Sequence, residues 1–353
     1  MTPTPRILVL SEGRAGDDRQ LLALAAALGW PYEVLDFRCS LGRVIRDRLV
    51  DAAGVAAPPP PMLAAAASDP PDLVLASGGR AVSAARRLRR QGAQRQDGGG
   101  TRTVFVGRPW APVRHFDLVV TTPQYGLSPA PNVLCNRLPL NSLSPDRLAE
   151  AQAAWAPRVA DLPAPYVTVL IGGDSGTYRL DAATARRLAE QACARAAALG
   201  GSVLATSSPR TPACALDAFA AALSGPHRLY RWRPGDPDNP LTGYLALASR
   251  LLVTGESASM IAEACRTRKP VEVMPLPYRC RARVLGPLAR ALARLGLGVP
   301  PRDLAPLLAK LWRDAGEVDA AGPHLHLSTA HDDDLDRTLR RIRALVEAAP
   351  SKA

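Results

Sequence analysis

Lysine is almost absent from this chain. Only Lys269, Lys310 and Lys352 occur, so the formal net charge of +12 is carried by arginine. Aromatic residues make up 5% of the sequence, which leaves Ala, Leu and Val to fill a core. Six cysteines contain no CxxC pair. In a chain of this length they read as scattered small hydrophobes in a reducing compartment, not as a disulfide framework. No apolar run is long enough to span a bilayer. The N-terminus has no signal-peptide pattern, because Ile7 to Leu10 already reads as a strand. A cytoplasmic protein is the expectation. Several fingerprints are missing as well. Without GxGxxG an NAD-dependent oxidoreductase or epimerase is disfavoured, and without GK[ST] so is a P-loop NTPase. There is no GxSxG elbow; Gly255 to Ser259 reads GESAS and lacks the second glycine. No zinc finger, RNP-type motif or basic–aromatic interleaving is present, so nucleic acid is not an expected partner. The arginine excess has two competing sources. One is an anionic partner such as a nucleotide or an acidic lipid surface; the other is the codon usage of a GC-rich genome.

What is present alternates. A chain of 353 residues favours two domains, each with its own core. Strands are expected at Ile7–Leu10, Tyr32–Asp36, Leu73–Ala76, Thr103–Val106 and Leu118–Thr121. Helices are expected at Asp17–Leu28, Leu41–Leu49 and from Gly79 through Arg90. Pro58 to Pro61 and Gln91 to Gly100 read as loops. A short polar helix between prolines, within Pro145 to Pro165, reads as the connection. The alternation then restarts, with strands at Tyr166–Ile171, Ser202–Thr206, Arg228–Trp232, Leu251–Thr254 and Val271–Met274. Between them lie helices at Ala182–Leu199, Ala213–Leu223 and Leu241–Ala248. A last helix, Asp333–Ala348, puts Leu335, Leu339, Ile342 and Val346 on one face. Strands separated by helices imply parallel, doubly wound sheets.

Four Gly- or Ser-containing turns follow strands: Ser11 to Gly16, Ser77 to Arg80, Gly172 to Gly176, and Gly255 to Ser259. Open α/β sheets bind ligands at such strand ends. Gly255 permits a sharp turn, after which Ser257, Ala258 and Ser259 present amides at a helix N-terminus, an anion site. Glu263, about two turns in, suits the hydroxyls of a ribose. Gly172 and Gly173 allow a phosphate to approach the backbone, with Asp174 beside them and Ser175 as a donor; a plain turn is the alternative. Ser207 and Arg210 lie in a hydroxyl-rich loop whose arginine could pair with a phosphate, or which simply caps the next helix. In the first half, Asp17 and Asp18 either cap a helix or act as general base for an acceptor hydroxyl. His324, His326 and His331, with Asp332 to Asp334, invite a metal reading, but no convincing ligand set completes it, and no metal is expected.

Taken in order, Gly13–Gln20 (GRAGDDRQ), Ser77–Arg80 (SGGR), Phe116–Pro123 (FDLVVTTP), Leu170–Ser175 (LIGGDS), Thr206–Pro212 (TSSPRTP), Asn239-Pro240 and Val253–Ala264 (VTGESASMIAEA) resemble the mitochondrial fission "elongated mitochondria" family. The resemblance covers most of the chain. It implies a GT-B-like fold: two Rossmann-like domains facing a cleft, with the last helix crossing back to the first. The implied boundaries are 1–145 for the acceptor domain, 160–330 for the nucleotide-sugar domain, and 331–353 for the returning helix. The second half also looks like the membrane-associated GlcNAc transferase that makes the lipid-linked peptidoglycan precursor. That likeness implies diphosphate contacts at Gly172–Ser175 and Ser257–Ser259, and a ribose contact at Glu263. It implies an acceptor loop comprising Arg14 and Gly16, with Gly78, Gly79 and Arg80 nearby. Asp17 stands where that enzyme has a histidine, and Glu256 where the fission family usually has Asp. The expected function is a glycosyltransferase that binds a nucleotide-diphosphate sugar, with no cofactor, and serves an acceptor that a lipid at the inner face of the inner membrane could carry. A non-catalytic recruitment protein on the same scaffold is the rival. A nucleotide-sugar 2-epimerase comes third.

Overall fold

A computed structural model describes residues 4–13, 15–36, 63, 66, 68–93, 100–294, 303–319, 322–326 and 333–348. The expected helix at Leu41–Leu49, the proline run at Pro58–Pro61 and most of the Gln91–Gly100 loop lie outside these residues, as do Arg14, His331 and Asp332. The chain divides into two compact units, one of residues 1–142 and 332–353, the other of residues 143–331.

The first unit begins with β1 (Ile7–Ser11), α1 (Ala15–Leu28), β2 (Tyr32–Asp36), β3 (Leu73–Ser77), α2 (Ala81–Gly92), β4 (Arg102–Val106), β5 (Leu118–Thr121) and β6 (Val133–Cys135). The second contains α3 (Pro145–Trp155), β7 (Tyr166–Ile171), α4 (Ala182–Ala198), β8 (Ser202–Ser207), α5 (Ala213–Ala222), β9 (His227–Tyr230), α6 (Leu241–Leu247), β10 (Ala248–Thr254), α7 (Ala258–Arg266), β11 (Val271–Met274), α8 (Cys280–Arg294), α9 (Ala305–Ala315), β12 (Gly316–Asp319) and β13 (Gly322–Leu325). The last helix, α10 (Asp333–Glu347), belongs to the first unit.

Strand order in the first sheet is β2-β1-β3-β4-β5-β6, parallel throughout. Its inner strands β1, β3 and β5 are buried and apolar on both faces, as strands covered on both sides require, whereas the edge strand β2 is largely exposed. Leu8, Leu10, Val74 and Ala76 pack with Ala81, Ala85 and Leu88 of α2. Their strand neighbours Ile7, Val9, Leu73 and Leu75 face the other way, onto Leu21, Leu24 and Leu28 of α1 and Leu339 and Ile342 of α10. The expected apolar stripe of α10 is therefore what holds it. Its N-terminus is fixed too: Asp334 Oδ2 accepts from the amides of Arg137 (2.7 Å) and Leu138 (3.2 Å), and Asn136 Nδ2 donates to Thr338 Oγ1 (3.0 Å).

The second sheet has the order β12-β13-β11-β10-β7-β8-β9. β11, β10, β7, β8 and β9 run parallel, and the β12–β13 hairpin adds an antiparallel edge. From β7 the chain moves outward through β8 to β9, then crosses to the opposite side of β7 to form β10 and β11. In the first sheet the corresponding reversal lies between β1 and β3. Ligands of open α/β sheets bind at such reversals, outside the carboxyl ends of the strands.

Helix α4 shows how the local sequence sets an end. Asp181 is its N-cap, and its Oδ1 accepts from the Thr184 amide at 2.8 Å. The amide and hydroxyl of Thr184 hold the Asp181 carboxyl below its usual range. Asp181→Ala is expected to cost about 1 kcal/mol in urea unfolding at neutral pH. Because the folded-state pKa is depressed, the contribution is complete above the unfolded value of about 3.9 and is lost as pH falls through the folded value. Melts of variant and parent should therefore converge in acid.

Candidate functional site

At the reversal in the second sheet, the turns after β7 and β10 are neighbours, since these strands pair directly. The amide of Gly255 donates to Met274 O at 2.7 Å, which turns the exit of β10 against β11. Ser257 is the N-cap of α7, yet its side chain makes no capping bond. The first helical bond runs from Ile261 N to Ser257 O at 3.0 Å. The amides of Ala258, Ser259 and Met260 precede it and have no intrahelical acceptor, the condition for an anion site. Glu263 lies on the same helix and is buried among Ile261, Ala262, Ala264 and Cys265.

The turn after β7 is closed by bonds of the chain itself. Its four amides are already engaged inside the protein. Gly172 N donates to Thr254 Oγ1 (2.8 Å), Gly173 N to Glu256 Oε1 (2.7 Å), Asp174 N to Arg210 O (3.1 Å), and Ser175 N to Tyr178 O (3.0 Å). A Cβ at Gly172 would overlap Glu256 Oε1 and Thr254 Oγ1; one at Gly173 would overlap the Arg210 carbonyl. The two glycines thus admit protein atoms, where a phosphate was expected. Ser175 Oγ accepts from the amides of Thr177 (3.3 Å) and Tyr178 (2.9 Å) as part of its own turn. Asp174 is held by Arg279 (2.6 Å) and by the Leu180 amide (3.0 Å).

The loop after β8 clamps onto the same place. Thr211 Oγ1 donates to the carbonyls of Ile171 and Gly172. Ser207 Oγ accepts from Trp232 N at 2.8 Å, a structural bond between strand ends. Arg210 reaches Asp174 O and Glu256 Oε1, each at 3.3 Å, and its side chain remains 43% exposed. Those contacts are long for a guanidinium, so it can turn to an anion from solvent.

Glu256, marked in the sequence only as standing where the family usually has Asp, has no role assigned to it there. It is 4% exposed. Its Oε1 takes the Gly173 amide and Arg210, while Oε2 is buried with no hydrogen-bond partner among the described residues. Burial pushes its carboxyl up, opposed by the Gly173 amide and Arg210. Its position just past the carboxyl end of β10 was the signal available in the sequence.

The first unit repeats the arrangement. Glu12, just past β1, accepts at Oε1 from the amides of Arg80 (2.5 Å) and Ala81 (2.9 Å), so the Gly78–Gly79–Arg80 turn after β3 binds a carboxylate of its own chain. Asp17 and Asp18 stand in the first turn of α1, favourable to its dipole. Gly16 O accepts from Gln20 Nε2 at 3.3 Å. In the second unit, His324 is buried in the β12–β13 hairpin, 3.7 Å from both Glu317 and Asp319. No group of three or more His, Cys, Asp or Glu side chains suited to a metal occurs among the described residues. Among them, too, no helix is long and apolar enough to cross a membrane.

Comparison with known proteins gives a family. The family model described as "Mitochondrial fission ELM1" matches residues 15–311. The mitochondrial fission protein ELM1 of Arabidopsis thaliana is 34% identical over 146 residues, covering 41% of this chain; the match spans 34% of that relative's length. Among solved structures, a glycosyltransferase from Rickettsia africae aligns with a TM-score of 0.48 at 11% identity, covering 99% of this chain and 100% of that one. The UDP-GlcNAc 2-epimerase of Methanocaldococcus jannaschii aligns with a TM-score of 0.48 at 8% identity, covering 96% of this chain and 99% of that one.

Proposed function

The chain belongs to the mitochondrial fission ELM1 family, and from that premise we propose that its second unit binds a nucleoside-diphosphate sugar and that the protein transfers the sugar to an acceptor. One observation carries the reading: the chain reversal between β7 and β10 gathers the N-terminus of α7, which no side chain caps, and the half-exposed Arg210 at one point. Helix amides and a guanidinium together suit a diphosphate, and they would stabilise it as a leaving group without a metal. Glu263 lies five residues into α7. At 1.5 Å rise per residue that is about 7.5 Å from the helix start, the right reach for the pentose of a ligand whose diphosphate caps the helix.

Arg14, Gly16, Asp17, Asp18 and the Gly78–Arg80 turn are the proposed acceptor side, with Asp17 or Asp18 as general base. Glu12 already takes the amides of Arg80 and Ala81, so the Arg80 side chain is the part of that residue left to contribute. A lipid-linked acceptor suits the charge of +12. The non-catalytic reading also has support, because both reversals hold a glutamate of the chain itself.

A thermal-shift panel of nucleotide sugars tests the proposal. A ligand at a hundred times its Kd adds about 2.7 kcal/mol of apparent stability. Arg210→Ala should weaken that ligand about 10- to 100-fold, the worth of a charge-assisted bond. Absence of any nucleotide-diphosphate shift, with the parent protein folded, would leave the recruitment reading standing alone.

A further inference from the structure

The place where the proposed diphosphate would find the Gly173 amide is filled by Glu256. Its Oε1 lies 2.7 Å from that amide and 3.3 Å from Arg210 Nη2. The fit is close enough that no side chain could replace hydrogen at Gly172. Nothing about folding alone demands a carboxylate here. Gly172 N is served by the neutral Thr254 hydroxyl, and a neutral acceptor would serve Gly173 N equally. A carboxylate instead brings a second oxygen, Oε2, into the interior with no hydrogen bond. Burying an unpartnered charged oxygen is costly. The charged groups that share the cradle are Arg210 from the loop after β8 and Asp174 from the loop after β7; the latter is neutralised by Arg279. Arg210 is thus the one cation in contact with Glu256 among the described residues, and a diphosphate would compete for it.

We infer that Glu256 is a proton-linked occupant of the anion site: as a carboxylate it fills the reversal between β7 and β10, and a diphosphate enters only as Glu256 takes up a proton. The inference rests on the functional reading above. A diphosphate and the buried Glu256 carboxylate would compete for Arg210, and the carboxylate, shielded from solvent, repels the second anion. Protonation at Oε2 removes the repulsion and relieves the buried oxygen at the same step. Burial already biases the group that way. Loss of the negative charge frees Arg210 for the ligand, which then rests on Arg210 and the α7 amides, while the neutral side chain keeps the Gly173 amide. Binding should therefore be coupled to uptake of one proton.

Calorimetry with UDP tests this on the full chain and on Glu256→Gln, a neutral side chain of the same size. Between pH 7 and 9 the diphosphate is itself fully ionised, its last pKa being about 6. The parent is expected to lose affinity by about tenfold per pH unit, the slope of one-proton linkage. Repeats in buffers of different ionisation heat should register one proton taken up per UDP. Glu256→Gln should bind more tightly at pH 8, with a flat profile and no uptake. In the ligand-free parent, the 15N–1H signal of Gly173 should titrate on the acid side of that window, where free Glu256 takes up its proton, and in Glu256→Gln it should not. UDP binding to both proteins with equal, pH-independent affinity overturns the inference and leaves the functional reading intact. A Gly173 signal that does not move with pH in the parent overturns it also. UDP binding to neither protein overturns the functional reading, and the inference falls with it.

Discussion

Gly173→Ala is expected to lower the free energy of unfolding by about 3 kcal/mol and to abolish nucleotide-diphosphate binding. The added Cβ would overlap the backbone carbonyl of Arg210, and it also crowds the Thr211 amide. Backbone cannot rotate aside as a side chain tip can. The loop after β8 must therefore lift from the end of β7. Lifting it breaks the Asp174 N to Arg210 O bond and the two bonds from Thr211 Oγ1 to Ile171 O and Gly172 O. It also carries Arg210 away from the site. Gly176→Ala in the same turn is the control, since its Cβ meets nothing within 4 Å. That variant should match the parent or gain about 0.4–1 kcal/mol through the unfolded state. Urea melts of both, with UDP titrations, check the pair. Parent-like stability for Gly173→Ala would mean that the two loops do not close on each other as described.

The fold was largely legible because burial on both faces leaves plain apolar runs. Ile7–Leu10, Leu73–Ala76 and Tyr166–Ile171 could hardly be anything but parallel strands. Where the reading fell short, a charge or a short span hid the pattern. β10 begins at Ala248, three residues earlier than expected. Arg250 interrupts its apolar run, and only the ion pairs with Glu272 and Asp319 allow that arginine to be buried. β6 has three residues and shows no period. The site was half legible. Glycine after a strand marks a close approach, but it does not say what approaches. At Gly172 and Gly173 the visitor is the chain itself, and Glu256, a neighbour only through the pairing of β7 with β10, cannot be matched to Gly173 from spacing. The same holds for Glu12 and the amides of Arg80 and Ala81, 68 and 69 residues away. A glutamate directly beyond a buried strand, twice in one chain, is the pattern that could have pointed to both.

Glu272→Ala is expected to be the most destabilising single change, at about 3–5 kcal/mol, without altering ligand affinity in protein that remains folded. Glu272 is 8% exposed. Its carboxylate receives Arg195 Nε (3.0 Å) and Nη2 (3.2 Å) together with Arg250 Nη1 (3.1 Å). Removing it leaves Arg195 without this partner and leaves the buried Arg250 dependent on Asp319 alone. A charge stranded in a medium of low dielectric costs far more than the pair ever contributed. Glu272→Gln keeps acceptor capacity and should lose less. Because the groups are shielded from solvent, the loss should persist in 0.5 M salt, where an exposed pair would be screened. The position of the cluster explains why binding should be spared. Glu272 pairs with Leu252, two residues or roughly 7 Å of strand before Thr254, the last residue of β10, and Arg250 lies two residues further back. The cluster therefore secures β10 against β11 from below, while the anion site lies past its carboxyl end. A thermal melt and a UDP titration at low temperature separate the two effects. A variant that melts early but binds normally assigns Glu272 to the scaffold. One that loses both in proportion would mean that the turn after β10 depends on the whole strand's register, and that α7 is positioned less by Gly255 and Met274 than the geometry implies.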